Sequence, residues 1–474
     1  MTPRPHGYGR RVRRLTLLAT LALAAALAPA TAAAATVPAA FANGAVRCAW
    51  PIESTPTKAN VAYPDSNATY WTTPYVALPG MRITLSGTYP TVRFFSVNVY
   101  DSSGQDFTVN GVRSAITDYE ITPDTGTANP WQTPGAAAGT YTITLRGAVT
   151  GKAPANVVPI APTTPATPFV TGLPKRTGFV MVRVYLPEGG DPSTVPLPTL
   201  TYTYPGGTQT TLRQCARAQT SPTAASQIRS TAMRRAVKAL LGGSQASPPA
   251  AATGPCAAVL VFCRASGGTT PFPNSDSGYV AAKFQPASGY LTVVRATMPT
   301  SAVAYGSGPG LWPATAAGIN LRYWSFCTYV YAKPYPVVKI GPIMGCLADQ
   351  DMPVATGNVA TVVISSVADR PALTRDPQNQ LGWLPTSAAK PDTTEVIAVR
   401  NMLADTGFTA SVMNAAPSDP TSAQSTMGAY YPTIAQCTTQ TFTAAALRAG
   451  GGAAGAQAGV AACFQSPASP PAAS

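Results

Sequence analysis

Short runs of β-branched, aromatic and alternating apolar residues dominate the chain, and turn residues separate them. Such runs are typical of strands rather than helices. Proline and glycine, with 48 and 40 copies among 474 residues, supply most of the breaks between them. The clearest runs are 81–87, 92–100, 141–145, 179–186, 200–204, 290–296 and 360–365. This pattern predicts an all-β fold of sandwich type.

A series of landmarks occurs twice in the same order, which predicts an internal duplication. Arg93-Phe94-Phe95-Ser96 matches Arg322-Tyr323-Trp324-Ser325, and Asp118 and Asp349 follow at similar spacings. Further matching pairs are Gly80 and Gly289, Gly126 and Gly357, Val182-Arg183 and Val399-Arg400, and Cys215 and Cys437. We therefore expect two tandem, duplicated β-sandwich domains of jelly-roll-like form. The expected boundaries are 36–218 for the first and 255–448 for the second.

A linker helix is expected between the two domains, within 219–254. Ser221-Pro222 is a favourable start, and Gly242-Gly243 is a favourable end. Ile228, Val237 and Leu240 fall on one side of the segment 224–241, and basic residues decorate the rest. A basic amphipathic helix of this kind binds anionic surfaces in some proteins, but a helix docked on a domain explains the same pattern. We expect the docked arrangement, with Ile228, Val237 and Leu240 buried.

The N-terminus has the three parts of an export signal. Four arginines between Arg10 and Arg14 precede an apolar run, and small residues up to Ala35 offer cleavage points. The segment 1–35 is therefore expected to be a signal peptide, and the mature chain to be secreted. No later apolar run is long enough for a membrane span. The Gly/Ala-rich segment 449–474 is expected to be a tail that Cys463 ties to the second domain.

Loss of the signal peptide changes the charge and removes the only histidine, His6. The segment carries five of the 32 basic residues and none of the 18 acidic ones, so the net charge falls from +14 to +9. No dense basic stripe with interleaved aromatics occurs, so nucleic acid is not an expected partner. Without histidine the mature chain has no Ser-His-Asp or Cys-His mechanism and no histidine-containing zinc site.

Eight cysteines remain in the mature chain, and an even number in an oxidising compartment predicts four disulfides. The duplication and the spacings predict the pairs Cys48–Cys215, Cys256–Cys437, Cys327–Cys346 and Cys263–Cys463. The choice between Cys256 and Cys263 stays open. If the duplication holds, Asn98 and Ala115 should lie opposite each other, as Cys327 and Cys346 do in the second copy.

Several of these motifs resemble those of uncharacterised secreted bacterial proteins that contain a duplicated β-sandwich module of unknown function. The resemblance rests on Arg322-Tyr323-Trp324-Ser325, Cys346-Leu347-Ala348-Asp349, Arg400-Asn401-Met402-Leu403 and Tyr430-Tyr431-Pro432, with Arg93-Phe94-Phe95-Ser96 in the first half. It implies a fold and an export route. It implies no activity and no site residues.

The repeated arginines are the strongest candidates for a site. Strand alternation places Arg93 and Arg322 on faces that also carry apolar residues, where an unpaired charge is costly. Asp118 and Asp349, repeated in the same way, are the expected partners within each domain. Such pairs could form the polar floor of a ligand pocket, or they could be ion pairs that fix strand order.

A second candidate cluster consists of acids near the ends of strands. Asp118, Glu120 and Asp124 in the first half correspond to Asp349 and Asp351 in the second. Alternate acids could hold Ca²⁺ through oxygens or serve as the carboxylate pair of a glycosidase, but turn acids exposed to solvent explain them equally. No cofactor is expected otherwise, and Ca²⁺ is the alternative.

These observations predict a secreted, disulfide-stabilised binding or structural protein of the cell envelope. Cell-wall glycan or an anionic polymer is the expected partner. The aromatics Trp131, Trp312, Trp383, Tyr430 and Tyr431 could stack on sugar rings, but packing in the core or at sheet edges explains most of them better. The alternative is a carboxylate-dependent or Ca²⁺-assisted extracellular hydrolase of glycosidase type. Two acids facing each other in a groove would favour the hydrolase.

Overall fold

The computed structural model describes residues 45–55, 64–133, 135–147, 149, 155–161, 176–217, 223–229, 231–242, 254–264, 272–301, 312, 318–330, 343–387 and 394–470. Thr36–Ser474 forms one compact unit. Met1–Ala35 lies outside the described residues, so the signal peptide stays a prediction. In the described chain no helix is both long and apolar enough to cross a membrane.

Within the described residues, twenty-two strands account for most of the regular structure, as the all-β prediction requires. Those of the first half are β1 (Ile52–Ser54), β2 (Ala68–Val76), β3 (Arg82–Thr88), β4 (Val92–Tyr100), β5 (Thr108–Val109), β6 (Val112–Arg113), β7 (Ala115–Thr117), β8 (Thr140–Arg146), β9 (Val157–Pro159), β10 (Thr177–Pro187), β11 (Thr199–Thr203) and β12 (Gln209–Leu212). Those of the second half are β13 (Cys263–Arg264), β14 (Ser277–Phe284), β15 (Tyr290–Thr297), β16 (Leu321–Val330), β17 (Ile343–Ala348), β18 (Val354–Ala355), β19 (Val359–Ser365), β20 (Gly382–Pro385), β21 (Glu395–Ala404) and β22 (Thr433–Thr438).

Each half folds into two facing sheets. In the first sandwich the strand orders are β1-β2-β10-β4-β7 and β12-β11-β3-β8-β9, and β5 and β6 form a separate hairpin. In the second sandwich they are β13-β14-β21-β16-β17 and β18-β19-β15-β22, with β20 added beside β19. Neighbouring strands are antiparallel except at β8–β9 and β19–β20, which are parallel.

Burial patterns show which faces are covered. Strand β8 alternates, because Tyr141, Ile143 and Leu145 enter the first sandwich and the residues between them are more exposed. Strands β4 and β16 are buried at every residue. A strand buried on both faces needs a second covering layer, and here the other sandwich provides it.

The two sandwiches share apolar contacts. The largest buried cluster contains the interior of the first sandwich and also Trp312, Tyr323, Met402 and Leu403 from the second half. The ring of Tyr185 in β10 lies 5.5 Å from that of Tyr323 in β16, centroid to centroid. The halves are therefore packed against each other, and we call the contact between them the inter-sandwich interface.

The predicted linker helix begins later than the sequence suggested. A short 3-10 helix covers Thr223–Gln227, and α1 covers Thr231–Gly242. Between them Ile228 forms a strand-like bridge to Val46. Ile228 and Val237 are buried against the first sandwich, as expected for a docked helix. The side chain of Leu240 lies outside what the structure describes.

The C-terminal segment, predicted as a Gly/Ala-rich tail, is largely helical. Besides α2 (Pro420–Met427), the chain forms α3 (Thr439–Arg448) and α4 (Gly452–Gln465), which pack on each other and on the second sandwich. A Cβ atom on Gly459 would lie 2.9 Å from the Phe442 ring, and one on Gly455 would lie 2.7 Å from the Ala446 carbonyl oxygen. The glycines therefore let the two helices approach closely.

Four disulfides stabilise the chain, and two of them match the sequence-based pairing. Cys48 is bonded to Cys215 and Cys327 to Cys346. The strand register also places Asn98 opposite Ala115 on β4 and β7, as Cys327 lies opposite Cys346 on β16 and β17.

The other two predicted pairs, Cys256–Cys437 and Cys263–Cys463, are wrong. Cys256 is bonded to Cys263 across a local turn, and Cys437 to Cys463. The reason lies in the C-terminal helices, because α4 folds back onto β22 and places Cys463 beside Cys437. Cys463 therefore ties the C-terminus to the end of the second sandwich and not to its start.

Candidate functional site: the polar inter-sandwich interface

Two buried ion pairs connect the sandwiches, and each crosses from one to the other. Arg93 Nη1 lies 3.2 Å from Asp349 Oδ2, and Arg322 Nη1 lies 2.6 Å from Asp118 Oδ2. All four side chains are almost completely buried. The prediction that each arginine pairs with the aspartate of its own domain is therefore wrong. The structure exchanges the partners between the two halves.

Backbone groups explain why each acid stays with its own sandwich. Asp118 opens a short 3-10 helix after β7, and its carboxylate accepts hydrogen bonds from the backbone N–H groups of Phe95 and Tyr119 at 2.8 and 2.6 Å. Asp349 accepts one from the N–H of Gln350 at 2.8 Å. The acids are thus fixed in place, and the longer arginine side chain of the opposite sandwich reaches them.

Burial and the arginines act on these carboxyl groups in opposite directions. Burial raises the pKa of Asp118 to about 6, and the adjacent Arg322 guanidinium limits this increase. Burial likewise raises the pKa of Asp349, with Arg93 as the main opposing influence. Arg322 also lies against aromatic rings, with its central carbon 5.0 Å from the centroid of Trp312.

A third charge pair at the interface was missed by the sequence reasoning. Arg400 Nη1 lies 2.8 Å from Asp65 Oδ2, again between the two halves. The same carboxylate oxygen accepts hydrogen bonds from the hydroxyls of Tyr323 and Ser325 at 2.9 and 2.6 Å. Asp65 therefore has three donors from the second sandwich. The repeated Val-Arg motif was a signal for Arg400, but nothing in the sequence indicated its partner.

Arg183 of the first sandwich, which has the same register position as Arg400, contacts backbone carbonyl groups of the second half instead of a carboxylate. Arg183 Nη2 donates to the backbone carbonyl of Phe272 at 2.5 Å and to the Tyr100 hydroxyl at 2.7 Å. The Tyr100 hydroxyl donates to the Pro273 carbonyl at 2.7 Å, and the Tyr329 hydroxyl donates to the Pro64 carbonyl at 3.3 Å. Each sandwich therefore holds a Pro-containing loop of the other.

The remaining predicted site residues do not join this cluster. Glu120 is exposed and bonded to Arg113 at 2.8 Å, and that arginine also reaches Asp276. Asp124 is partly buried in a turn, and its backbone N–H donates to the Thr140 carbonyl. Asp351 is exposed as a residue, but its carboxyl group is partly desolvated, and this raises the pKa of the carboxyl. Within the described part of the chain, these acids form no group of three close enough together to hold a metal ion.

One group of metal-type ligand atoms occurs within the described residues: Asp65, Cys327 and Cys346. Both sulfurs belong to the disulfide between those cysteines, so neither can act as a thiolate ligand. Ser66 donates its backbone N–H to Cys346 Sγ at 3.3 Å. The group is best explained as the packing of the Asp65 loop on a disulfide.

Glu395 is a buried acid without a cationic partner among the described ion pairs. It begins β21, where its Oε1 accepts a hydrogen bond from the Ser387 N–H at 2.7 Å. Its buried Oε2 has no hydrogen-bond partner among the residues that the structure describes. Burial raises the pKa of this carboxyl to about 7. Its register partner is Phe284. In the first sandwich the corresponding register pair is Gly178 and Tyr75.

In each sandwich a buried backbone N–H group needs a hydrogen-bond acceptor at this position, and the two sandwiches supply different side chains for it. In the first, the Tyr75 hydroxyl accepts the Ala161 N–H at 3.1 Å. A Cβ atom on Gly178 would overlap that hydroxyl, so tyrosine here requires glycine opposite. In the second, Phe284 lacks a hydroxyl and the Glu395 carboxylate takes its place. The acid thus has a structural explanation.

Of the aromatics considered for sugar stacking, Trp131 and Trp312 are buried. Trp383, Tyr430 and Tyr431 are half-buried. The guanidinium carbon of Arg370 lies 4.2 Å from the Trp383 ring centroid, and Tyr430 packs edge-on against Phe408. Partly exposed aromatic rings therefore occur only among the last three of these candidates.

No protein-family model and no curated protein matches the sequence. Among solved structures, the chain is similar to an uncharacterized protein from Burkholderia cenocepacia, with 13% identity over 84% of this chain and 83% of that one and a TM-score of 0.44. It is also similar to the VPA0106 protein from Vibrio parahaemolyticus, with 11% identity over 75% and 88% of the two chains and a TM-score of 0.34. Both neighbours are bacterial proteins.

Proposed function

We propose that the mature chain is an exported, non-catalytic binding protein of the cell envelope, with glycan as its ligand class. The observation that carries this proposal is the burial and pairing of the two strongest candidate acids. Asp118 and Asp349 are buried and paired with arginines of the opposite sandwich. They hold the interface together and are closed to a substrate. Four disulfides suit a protein that works outside the cytoplasm.

The competing hydrolase needs two carboxyl groups on either side of a bound sugar, one of them protonated. Of the candidate acids, those still accessible are Glu120, Asp124 and Asp351. Glu120 is engaged by Arg113, and Asp124 is partly buried in a turn of the same half, whereas Asp351 belongs to the other half. Glu395 has a suitably raised pKa, but it is fully buried beneath Ser387. This arrangement favours binding over hydrolysis.

We also propose that the two sandwiches derive from a duplicated unit. The shared strand order β1-β2-β10-β4-β7 and β13-β14-β21-β16-β17 supports it, as do the reciprocal contacts at the interface. The strand registers also agree. Arg183 pairs with Tyr70 on β2 and Ser96 on β4. In the same way, Arg400 pairs with Tyr279 on β14 and Ser325 on β16. An interface whose two sides exchange equivalent contacts is the arrangement found in two-fold dimers.

The experiment combines binding and cleavage on the same ligands. The mature protein, with disulfides intact, is applied to an array of cell-wall glycans, and release of new reducing ends is measured in parallel. We expect binding without release. If reducing ends appear, and disappear in Glu120→Gln or Asp351→Asn, the protein is a hydrolase and the proposal is wrong. Absence of both binding and release would also contradict it.

A further inference from the structure

Two acid-free stretches of the sequence meet on the surface of the first sandwich. No Asp or Glu precedes Glu53, and none occurs between Asp191 and Asp276. Within these stretches the described residues include eight cations. Arg234 is half-buried and donates to the Ile228 carbonyl, and Arg264 lies in β13 of the second half. The other six are Arg47, Arg213, Arg217, Arg229, Arg235 and Lys238. We call the surface that carries these six residues the basic face.

Backbone contacts bring the segments that carry the basic face together. The N–H of Arg47 donates to the Gln227 carbonyl at 2.7 Å, and the N–H of Arg229 donates to the Ala45 carbonyl at 2.9 Å. On the other side, the N–H of Ala49 donates to the Arg213 carbonyl at 2.9 Å. The Cys48–Cys215 disulfide joins the same two stretches covalently. The arginine backbones are thus held together by the fold.

The side chains of the basic face are directed mainly to solvent. Arg47, Arg213, Arg217, Arg235 and Lys238 are exposed, and Arg229 is half-buried with its Nε donating to the Val46 carbonyl at 3.2 Å. Asp191 approaches Arg217 at 3.9 Å, in a pair whose side chains are more than half exposed. Such a pair is weak, and it marks the edge of the basic face.

The packing of α1 decides what kind of anionic partner the basic face suits. Met233 and Val237 are buried in the first sandwich, so these apolar side chains are unavailable for insertion into a bilayer. Arg235 and Lys238 point away from that packing and are exposed. A surface that offers only positive charge, held on a rigid scaffold, complements a hydrated polymer of negative charges.

We infer that the basic face binds an anionic polymer bearing carboxylate or phosphate groups. This inference rests on the proposed function, because it names the ligand chemistry and the surface that such a binding protein uses. Several cations spread over one surface meet several charges along one chain. Binding of this kind depends on the number of contacts and weakens steeply with salt.

The test uses the full mature protein with its disulfides intact. The probes are sodium polygalacturonate for carboxylates, inorganic polyphosphate for phosphates, and neutral dextran as the uncharged control. The variant Arg47→Gln/Arg235→Gln/Lys238→Gln neutralises three exposed cations of the basic face. The matched control neutralises three exposed cations of the second half, with the same change in net charge: Arg295→Gln/Arg375→Gln/Arg448→Gln.

We expect the wild type to bind at least one polyanion and not dextran. The basic-face variant should weaken binding by about tenfold or more and lower the dependence of log Kd on log salt, whereas the control should change Kd by less than about twofold. Equal weakening by both variants would overturn the inference, because net charge alone would then explain binding. Which polyanion binds more tightly identifies the charged group.

Two further outcomes overturn the inference and separate it from the proposed function. Tighter binding to vesicles that contain anionic phospholipid than to either polymer would assign the basic face to a membrane. Failure to bind both polyanions, with a neutral glycan bound on the array, would reject the anionic ligand and leave the proposed binding function standing. Failure on both assays would reject both proposals.

Discussion

Replacing Glu395 with glutamine removes a buried ionisable group from the second sandwich while keeping the side chain's shape. The Glu395 side chain is inaccessible to solvent, and it accepts one hydrogen bond, from the Ser387 N–H. Its Oε2 has no hydrogen-bond partner within the described chain. An ionised carboxylate in such a position is strongly disfavoured. Burial accordingly raises the pKa of this group from 4.5 to about 7.

This shift predicts a definite dependence of stability on pH. Between pH 4.5 and about 7 the folded protein keeps the Glu395 proton and the unfolded chain does not, so the free energy of unfolding falls as the pH rises. At 1.36 kcal/mol for each unit, the loss is about 3 kcal/mol above pH 7. Because glutamine carries no charge, Glu395→Gln should escape this loss.

Urea unfolding with disulfides intact, followed by tryptophan fluorescence from pH 4.5 to 8, measures the effect. The difference in unfolding free energy, Glu395→Gln minus wild type, should rise by up to about 3 kcal/mol across this range. Glu188→Gln, at an exposed acid, serves as the matched control and should give a nearly constant difference. A difference for Glu395→Gln that is equally constant would refute the reasoning.

Two other substitutions test packing and the long disulfide. Gly178→Ala should lower the free energy of unfolding by about 1–3 kcal/mol, because the new methyl group would overlap the Tyr75 ring, whereas Gly147→Ala meets no neighbour and should have little effect. Similar melting temperatures for the two variants would count against the close packing of Tyr75 on Gly178. Replacing Cys48 and Cys215 together by alanine should cost about 4–5 kcal/mol, since the bond closes a loop of 167 residues. An unchanged urea midpoint would show that this disulfide does not restrain the unfolded chain.

The strands were predictable from sequence because their signal is local. Alternation and apolar runs located β4 at its observed bounds, 92–100, and located most of β10 and β19. Turn residues marked where the strands end. The pair Cys327–Cys346 was predictable for the same reason. Cys327 lies on the strand of Arg322 and Cys346 lies just before Asp349, so the sequence placed the two cysteines on neighbouring strands.

The C-terminal helices escaped prediction for a physical reason. Helix α4 consists mostly of alanine and glycine, so it shows no amphipathic pattern of large residues. Its stability comes from close approach to α3, where Gly459 lies against Phe442. That contact is visible only in three dimensions. Missing it made the pairing of Cys463 with Cys437 unpredictable as well.

The partners of the buried arginines were also beyond the sequence. Alternation along a strand indicates that Arg93 needs an acid, but it does not say which layer supplies one. The duplication suggested Asp118, the acid of the same copy, and the structure provides Asp349. Equivalent residues in two copies are equally good partners by sequence, so only the packing of the two sandwiches distinguishes them.

Double-mutant cycles over both possible pairings test the central claim, that the buried charges join the two sandwiches. Arg93→Met and Arg322→Met are each combined with Asp118→Asn and Asp349→Asn, and unfolding free energies are measured in urea. The structure predicts coupling above about 1 kcal/mol for Arg93 with Asp349 and for Arg322 with Asp118, and below about 0.5 kcal/mol for the two same-sandwich combinations. Strong coupling within each sandwich, and none between them, would contradict the account.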